Sequence, residues 1–239
     1  MKTIGVIGGL GPQATMSFEV MVHAVSQRII PPHANTGYPP MLVYYHRYPP
    51  FIVDERGVPI PPRRPEPHLT GALGKLGQMV DFIVITSNAP HLFLDLIEET
   101  SGRKVLSMID ATVNEIQRQG LRRVGVLGLG VPKIYMEPLN KIGVVHETLP
   151  VETGGLSEKL DSAIVAYMAG QTSTEDTALA VEAVENLRAR NVEAIILGCT
   201  EIPLLLGNYA QAPDLINPLE LLAERAVRFA IEPEQQTGN

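Results

Sequence analysis

Residues 192–200, Val-Glu-Ala-Ile-Ile-Leu-Gly-Cys-Thr, repeat the pattern of residues 80–88, Val-Asp-Phe-Ile-Val-Ile-Thr-Ser-Asn. A second pair of segments follows the same order along the chain, since residues 122–128 (Arg-Arg-Val-Gly-Val-Leu-Gly) resemble residues 2–8 (Lys-Thr-Ile-Gly-Val-Ile-Gly). Two matched pairs in register favour an internal duplication over chance similarity between β-rich runs. The duplication pairs Cys199 with Ser87, and it predicts a cleft between two similar lobes that these residues face.

The segments between the repeats indicate the fold class. Short apolar runs alternate with helical patterns, such as that of Ala14, Phe18, Val22 and Val25, which is typical of βαβ units and parallel sheets. We therefore predict an α/β fold with two pseudo-symmetric lobes, each a mainly parallel sheet flanked by helices, and an active site in the inter-lobe cleft. The first lobe is expected to contain residues 1–102 and 209–239, and the second residues 103–208.

Capping signals predict where several helices begin and end. Asp110 is expected to cap a helix that stops at Gly120, and Thr172 has the spacing of a capping box. Asn217 before Pro218 offers an N-cap followed by proline at the first helical position. The helix that follows is expected to pack back on the first lobe.

Composition favours a soluble enzyme of the cytoplasm. The 239 residues can bury a substantial core, and the single cysteine cannot form an internal disulfide. No signal peptide and no membrane span are expected, because glycine and proline interrupt the first apolar stretch. A formal net charge of −7 argues against binding to a nucleic-acid backbone, and the six histidines show no metal-ligand spacing.

Two segments are punctuated by proline and glycine. Residues 49–67 are rich in proline and are predicted to form a loop over the first lobe, either a plain surface loop or a lid on the cleft. Residues 9–14, Gly-Leu-Gly-Pro-Gln-Ala, match a dinucleotide fingerprint after a strand. Against that function, Pro12 removes a backbone donor and residues 45–47, Tyr-His-Arg, lack the acid expected for the ribose. We therefore favour a glycine loop that lines an anion pocket.

The paired strand ends carry the candidate catalytic residues. Ser87-Asn88 and Cys199-Thr200 each follow an apolar strand, at the carboxyl edge where open α/β sheets bind ligands. A free cysteine is usually a core residue, and a serine at a strand end is often only a hydrogen-bonding group. Their matched positions favour catalysis. His91 and Glu201 lie just beyond each pair. Their functional interpretation is that they adjust the pKa of the thiol or orient the substrate, and their structural interpretation is that they stand at the start of a helix.

At these residues the chain resembles the aspartate/glutamate racemase family of cofactor-independent amino-acid racemases. The resemblance rests on residues 4–15, 87–91, 198–202 and 215–218, above all on Gly-Cys-Thr-Glu together with the Gly-Gly-x-Gly-Pro opening. It implies two pseudo-symmetric α/β lobes with a catalytic residue from each. It further implies an isomerase that needs no pyridoxal phosphate or metal, acts on a small substrate with a carboxylate and assembles as a homodimer.

In that family one thiolate removes the α-proton while the opposite thiol delivers a proton to the other face. The resemblance thus assigns catalysis to Cys199 and Ser87, although a serine is a far weaker base than a thiolate. Racemisation is therefore expected to be slow or one-sided, and the sequence is compatible with a natural serine and with an introduced one. Two alternatives stay open: a one-thiol malonate-type decarboxylase of the same superfamily, and a non-catalytic amino-acid or dicarboxylate binding protein.

Substrate recognition is the last element that the resemblance implies, with aspartate or glutamate as the expected substrate. Family members that act on aspartate hold its side-chain carboxylate with an arginine and a lysine, for which Arg47, Arg56 and Lys159 are the candidates here. The α-carboxylate is assigned to Asn88, Thr200 and the loop of Gly9, Leu10 and Gly11. Ala89 and Glu201 are further substrate-binding candidates.

Overall fold

The computed structural model describes residues 1–32, 37–55, 59–130 and 133–233. Arg56, one of the candidate cations, lies outside these ranges. Along the described chain the elements are, in order, β1 (Ile4–Gly8), α1 (Pro12–Ile29), β2 (Met41–Tyr45), α2 (Pro67–Gly77), β3 (Phe82–Ile85), α3 (Leu94–Ser101), β4 (Lys104–Leu106), α4 (Met108–Gln119), β5 (Arg123–Leu127), α5 (Lys133–Lys141), β6 (Val145–Glu147), α6 (Leu156–Met168), α7 (Thr174–Arg188), β7 (Ala194–Leu197), α8 (Ile202–Leu206), β8 (Leu215–Ile216) and α9 (Pro218–Ile231).

The strands form two parallel sheets with the same connectivity. Their orders are β2-β1-β3-β4 and β6-β5-β7-β8, and every pairing within them is parallel. The equivalent registers, Ile7 beside Ile85 and Leu127 beside Leu197, reproduce the match seen between the two halves of the sequence. The predicted α/β class with two similar parallel sheets is confirmed.

Strand order also explains where a ligand can bind. In each sheet the chain turns one way from the first strand to the second and the other way to the third, so a crevice opens at the carboxyl ends of β1 and β3, and of β5 and β7. Ser87 follows β3 and Cys199 follows β7. Both residues therefore leave their sheets at the edge where parallel sheets place their ligands.

Helices cover both faces of each sheet, as expected for parallel strands whose side chains are apolar on both faces. All residues of β3 and β7 are buried. On the first sheet, α1 and α9 pack on one face, while α2 and α3 supply the apolar residues of the other. On the second sheet α6, α7 and α8 form one layer, and α4 and α5 the other.

The last helix returns to the first sheet, as predicted. Leu219, Leu222 and Ala226 of α9 share a buried cluster with Ile4 of β1, and the ring of Phe229 lies edge-on to Phe82. This packing joins the C-terminal part of the described chain to the first strand.

The positions at which the chain passes from one sheet to the other differ from the predicted lobe boundaries. Strand β4, inside the range expected for the second lobe, pairs with β3 of the first sheet. Strand β8, inside the range expected for the first lobe, pairs with β7 of the second sheet. The chain therefore leaves the first sheet after Leu106 and the second after Ile216. Both strands are very short, so they carry little periodic signal.

Helix capping agrees with the sequence at some ends and not at others. Gly120 ends α4 in a left-handed conformation (φ 69°), and the Asn217 side chain accepts a hydrogen bond from the Leu219 amide, as predicted. The predicted caps at Asp110 and Thr172 are wrong. Ser107 caps α4, and Ser173 forms the capping box of α7 with Asp176. In both cases a nearby serine is the N-cap instead, because its hydroxyl accepts a hydrogen bond from the free backbone amide three residues further along the chain.

None of the helices in the described ranges is long and apolar enough to cross a membrane.

Two glycines of α2 give a matched test of packing. A Cβ at Gly77 would overlap the carbonyl oxygen of Ser101, whereas a Cβ at Gly71 would meet nothing within 4 Å. We expect Gly77→Ala to lower the free energy of unfolding by about 1–3 kcal/mol through overpacking. Gly71→Ala should raise it by about 0.5–1 kcal/mol, because alanine is the better helix former. Denaturant unfolding of both variants checks the pair, and equal effects would contradict this α2–α3 contact.

Candidate active site

A cavity of about 620 Å³ brings the two paired strand ends together. Its wall contains Ser87 after β3 and Cys199 after β7, so the two candidate catalytic residues face the same space. The cavity is lined by eight of the site residues that the sequence predicted. They are Leu10, Gly11, Ser87, Asn88, Ala89, Cys199, Thr200 and Glu201.

Three other predicted residues do not line this cavity. Gly9 serves the turn instead: its φ is +81°, and a Cβ there would lie 2.8 Å from the backbone nitrogen and oxygen of His46. Arg47 is exposed, with its guanidinium 5.0 Å from the centroid of the Tyr45 ring, and Lys159 is exposed on α6. The substrate contacts suggested for Arg47, Arg56 and Lys159 therefore stay predictions.

The cavity wall instead contains two cations that the sequence motifs did not single out. Arg63 comes from the proline-rich segment, where it lies over the ring of Phe51, 5.5 Å from the centroid. Lys133 is the first residue of α5. The available signal was position: Arg63 lies in the loop expected to cover the first lobe, and Lys133 follows the strand-end glycines of the second half.

The Cys199 thiol is held by a buried carboxylate. Its Sγ donates to Oε2 of Glu201 at 3.0 Å, and the Thr200 hydroxyl donates to the same oxygen at 3.0 Å. Glu201 is 4% exposed, and it forms no ion pair with any residue of the described ranges. The thiol is therefore hydrogen-bonded to a carboxylate that forms no ion pair within the described part of the chain.

Gly11 makes room for this carboxylate. A Cβ on Gly11 would overlap Oε1 of Glu201, so any larger residue would push the carboxylate away. Gly11 is also the N-cap of α1, whose positive end favours a negative charge. The glycine loop was predicted to line an anion pocket, and the anion that lies against Gly11 in this structure is the protein's own Glu201.

These surroundings set the proton affinity of the thiol. Burial raises the pKa of Cys199 well above its ordinary value, and the charge of Glu201 and its hydrogen bond raise that pKa further. Cys199 is consequently a neutral thiol at neutral pH in this structure. The thiol can therefore give a proton, while the charge of the carboxylate beside it opposes formation of the thiolate.

Asn88 links the ends of the two sheets. Its Nδ2 donates to the Gly198 carbonyl at 3.0 Å, and its Oδ1 accepts from the Tyr135 hydroxyl at 2.7 Å. Tyr135 is fully buried, and burial raises its pKa, so the hydroxyl stays protonated and fixes the orientation of the amide. Asn88 therefore presents a positioned donor on the cavity wall.

Ser87 has no comparable proton acceptor. Among the described residues none forms a hydrogen bond with its hydroxyl. His91 is turned away from that hydroxyl, because its Nε2 accepts from the Met108 amide at 3.0 Å and its Nδ1 therefore donates to the Ser87 carbonyl at 2.9 Å. Burial lowers the pKa of His91 to about 4. Both ring nitrogens of His91 are hydrogen-bonded to backbone atoms, so its contacts fit the structural role and not the tuning of the thiol.

The described residues contain no group of three or more histidine, cysteine, aspartate or glutamate side chains placed to hold a metal ion. The titratable side chains that described residues contribute to the cavity wall are the thiol, one carboxylate and two cations.

Comparisons with known proteins agree with this arrangement. The family model for Asp/Glu/hydantoin racemases matches residues 7–226. The broad specificity amino-acid racemase RacX of Bacillus subtilis (strain 168) is 23% identical over 231 residues, which are 94% of this chain and 96% of that protein.

Two solved structures show the same fold over nearly the whole chain. The aspartate racemase of Picrophilus torridus has a TM-score of 0.77 at 19% identity, covering 96% of this chain and 94% of that one. An aspartate racemase homologue from Pyrococcus horikoshii OT3 has a TM-score of 0.74 at 23% identity, covering 97% of this chain and all of that one.

Removing the charge of Glu201 should make the thiol more acidic. In Glu201→Gln we expect the pKa of Cys199 to fall, since a negative neighbour no longer opposes the thiolate, yet to stay above its ordinary value because burial is the larger cause. The rate of alkylation by iodoacetamide as a function of pH measures it. Glu137→Gln, in an exposed i,i+4 pair with Lys141, is the matched control. An unchanged or higher thiol pKa would contradict the coupling.

Burial of neutral His91 should make the fold sensitive to acid. The folded pKa of about 4 lies below the ordinary histidine value of about 6.5, so stability is complete above pH 6.5 and is lost as pH falls toward 4. The loss should be on the order of 3 kcal/mol. Urea unfolding between these pH values measures it. His91→Gln should flatten this dependence, while His23→Gln, at an exposed site, should retain it.

Proposed function

Since this chain belongs to the Asp/Glu/hydantoin racemase family, we propose that it is an amino-acid racemase-type isomerase in which Cys199 and Ser87 handle the Cα proton of the substrate. The observation that carries the proposal is that the thiol and the hydroxyl line one cavity, with the Glu201 carboxylate 3.0 Å from the thiol. Proton transfer at Cα needs a positioned acid and base, and the family context supplies the reaction class.

Glu201 supports an amino acid as the substrate. Glu201 is buried and forms no ion pair with another described residue. Burying an unpaired charge is costly, and the ammonium group of an amino acid would compensate it. The same ammonium lies next to Cα, so pairing it with Glu201 brings Cα to the thiol. We thus assign Glu201 to the ammonium group, and Asn88 and the Leu10–Gly11 part of the loop to the α-carboxylate. The Thr200 hydroxyl, which donates to Glu201, positions that carboxylate.

The protonation state of the thiol supports a reaction in which Cys199 is the main acid and base. The neutral thiol can protonate a planar carbanion formed from either enantiomer. To remove a proton, the thiol must first lose its own to solvent, and an ammonium group paired with Glu201 favours this loss because it offsets the charge that raises the pKa of the thiol. The donor at Asn88 would stabilise the charge that develops on the α-carboxylate.

Ser87 accounts for the one-sided activity that we propose. Its hydroxyl lacks a base among the described residues, so abstraction from its side is far slower than from the thiol side. Exchange of the Cα proton with solvent on the thiol side is then faster than inversion.

A one-thiol decarboxylase is the second candidate, because a neutral Cys199 is the acid that such an enzyme needs. Glu201 disfavours it, since a malonate would bring two carboxylates and no cation to the buried charge. A non-catalytic binding protein is the third, and only activity separates it from the others.

The family resemblance also supports a homodimer that works in the cytoplasm on a small carboxylate substrate without pyridoxal phosphate or a metal. These features are part of the proposal.

Proton NMR in deuterium oxide tests the assignment of Cys199 and Ser87. With L- and D-glutamate and aspartate we expect loss of the Cα signal, inversion slower than exchange, and a fall of at least about 100-fold in exchange for Cys199→Ala. Ser87→Cys should raise inversion relative to exchange, because a thiol replaces the weak base.

Controls separate the candidates. Ser162→Cys adds a thiol on α6 away from the cavity wall and should leave inversion unchanged. Release of carbon dioxide from an arylmalonate without exchange of any amino acid would favour the decarboxylase. Binding without either reaction would favour the non-catalytic protein.

A further inference from the structure

The size of the cavity exceeds what aspartate requires. A volume of about 620 Å³ lies within the range of about 300–1,000 Å³ typical of pockets for drug-sized ligands, whereas aspartate has a single side-chain methylene. The substrate side chain therefore has room for several more carbon atoms.

Apolar side chains form much of the wall, and several of them face solvent. Leu92, Leu129 and Met168 all line the cavity, yet they are 46%, 50% and 37% exposed. Phe51 and Ile134 extend the same apolar surface. Exposed apolar groups in a concave wall bind the apolar part of a ligand, because burying them removes hydrocarbon from water.

The described wall carries charged side chains of both signs. Glu201 lies beside the thiol, while Arg63 and Lys133 reach the cavity from the proline-rich segment and from α5. Neither cation forms an ion pair with another residue of the described ranges. With the thiol neutral, the charged side chains of the described wall carry one net positive charge, and a 2-amino dicarboxylate carries one net negative charge.

We propose that the substrate is a 2-amino dicarboxylate with a side chain longer than that of glutamate, whose methylenes contact Leu92, Leu129 and Met168 and whose terminal carboxylate binds Arg63 and Lys133. This inference rests on the proposed function, because it assumes that Glu201 receives the ammonium group and Cys199 faces Cα. The apolar wall selects chain length, and the two cations select the terminal charge.

A homologous series tests chain length. Cα proton exchange in deuterium oxide is measured for aspartate, glutamate, 2-aminoadipate and 2-aminopimelate. We expect kcat/KM to rise about fourfold with each added methylene up to 2-aminoadipate or 2-aminopimelate. Fastest exchange with aspartate or glutamate would overturn the length assignment.

Neutral analogues of equal length test the terminal charge. 2-Aminoadipate should exceed norleucine in kcat/KM on the order of tenfold, the combined effect of two partly solvated cations. Arg63→Gln and Lys133→Gln should each reduce this ratio about threefold. Arg64→Gln, on the same segment but off the cavity wall, and Lys141→Gln, at the other end of α5, should leave the ratio unchanged. Equal exchange of 2-aminoadipate and norleucine would overturn the terminal carboxylate.

The measurements distinguish failure of the proposed substrate from failure of the proposed racemase-type function. Exchange that depends on Cys199 but favours aspartate or neutral chains removes only the substrate assignment. No exchange with any member of either series removes the proposed function, and the substrate assignment with it.

Discussion

The hydrogen bond from the Cys199 thiol to the buried carboxylate of Glu201 is the interaction on which the chemistry of this site depends. It needs Gly11, because a side chain at that position would occupy the space of the carboxylate. It also needs the turn at Gly9, which brings the loop against the backbone of His46 and places the start of α1 beside the negative charge. A buried carboxylate with no neighbouring cation is costly, and two hydrogen bonds and a helix terminus offset part of that cost. The remainder is available to a ligand that brings a positive charge.

Duplication supplies a symmetric frame, while the polar groups added to it differ between the halves. Both catalytic candidates follow the third strand of their sheet, and both sheets have the same strand order. In the second half the residue two positions after the cysteine is Glu201, which contacts the thiol directly. In the first half the nearby titratable group is His91, and both of its ring nitrogens are engaged with backbone atoms. The same architecture therefore surrounds one group that can exchange its proton locally and one that cannot.

Much of the frame could be predicted from the sequence, because duplication and alternation are encoded locally. The pairing of Ser87 with Cys199, the parallel sheets and the return of α9 are features of this kind. The caps of α4 and α7 were misplaced, since several serine, threonine and aspartate residues within one turn compete for the same free amides. Arg63 and Lys133 were missed, because their position in the chain was the available signal, and the course of their segments is set by tertiary packing and not by a local pattern. The closeness of Glu201 to Gly11 joins residues from opposite halves and is equally invisible in a single sequence.

The distribution of charge around the cavity has a consequence for stereochemistry. A substrate whose ammonium group pairs with Glu201 and whose distal group reaches Arg63 or Lys133 is held at two points, and a carboxylate contact at Asn88 adds a third. Three contacts fix which face of Cα is turned toward Cys199 for each enantiomer. In one enantiomer the Cα hydrogen then points at the thiol and in the other at Ser87, whose hydroxyl lacks a proton acceptor among the described residues. The difference between the enantiomers thus arises from the chemistry of the two walls, while the frame that holds the substrate treats them alike.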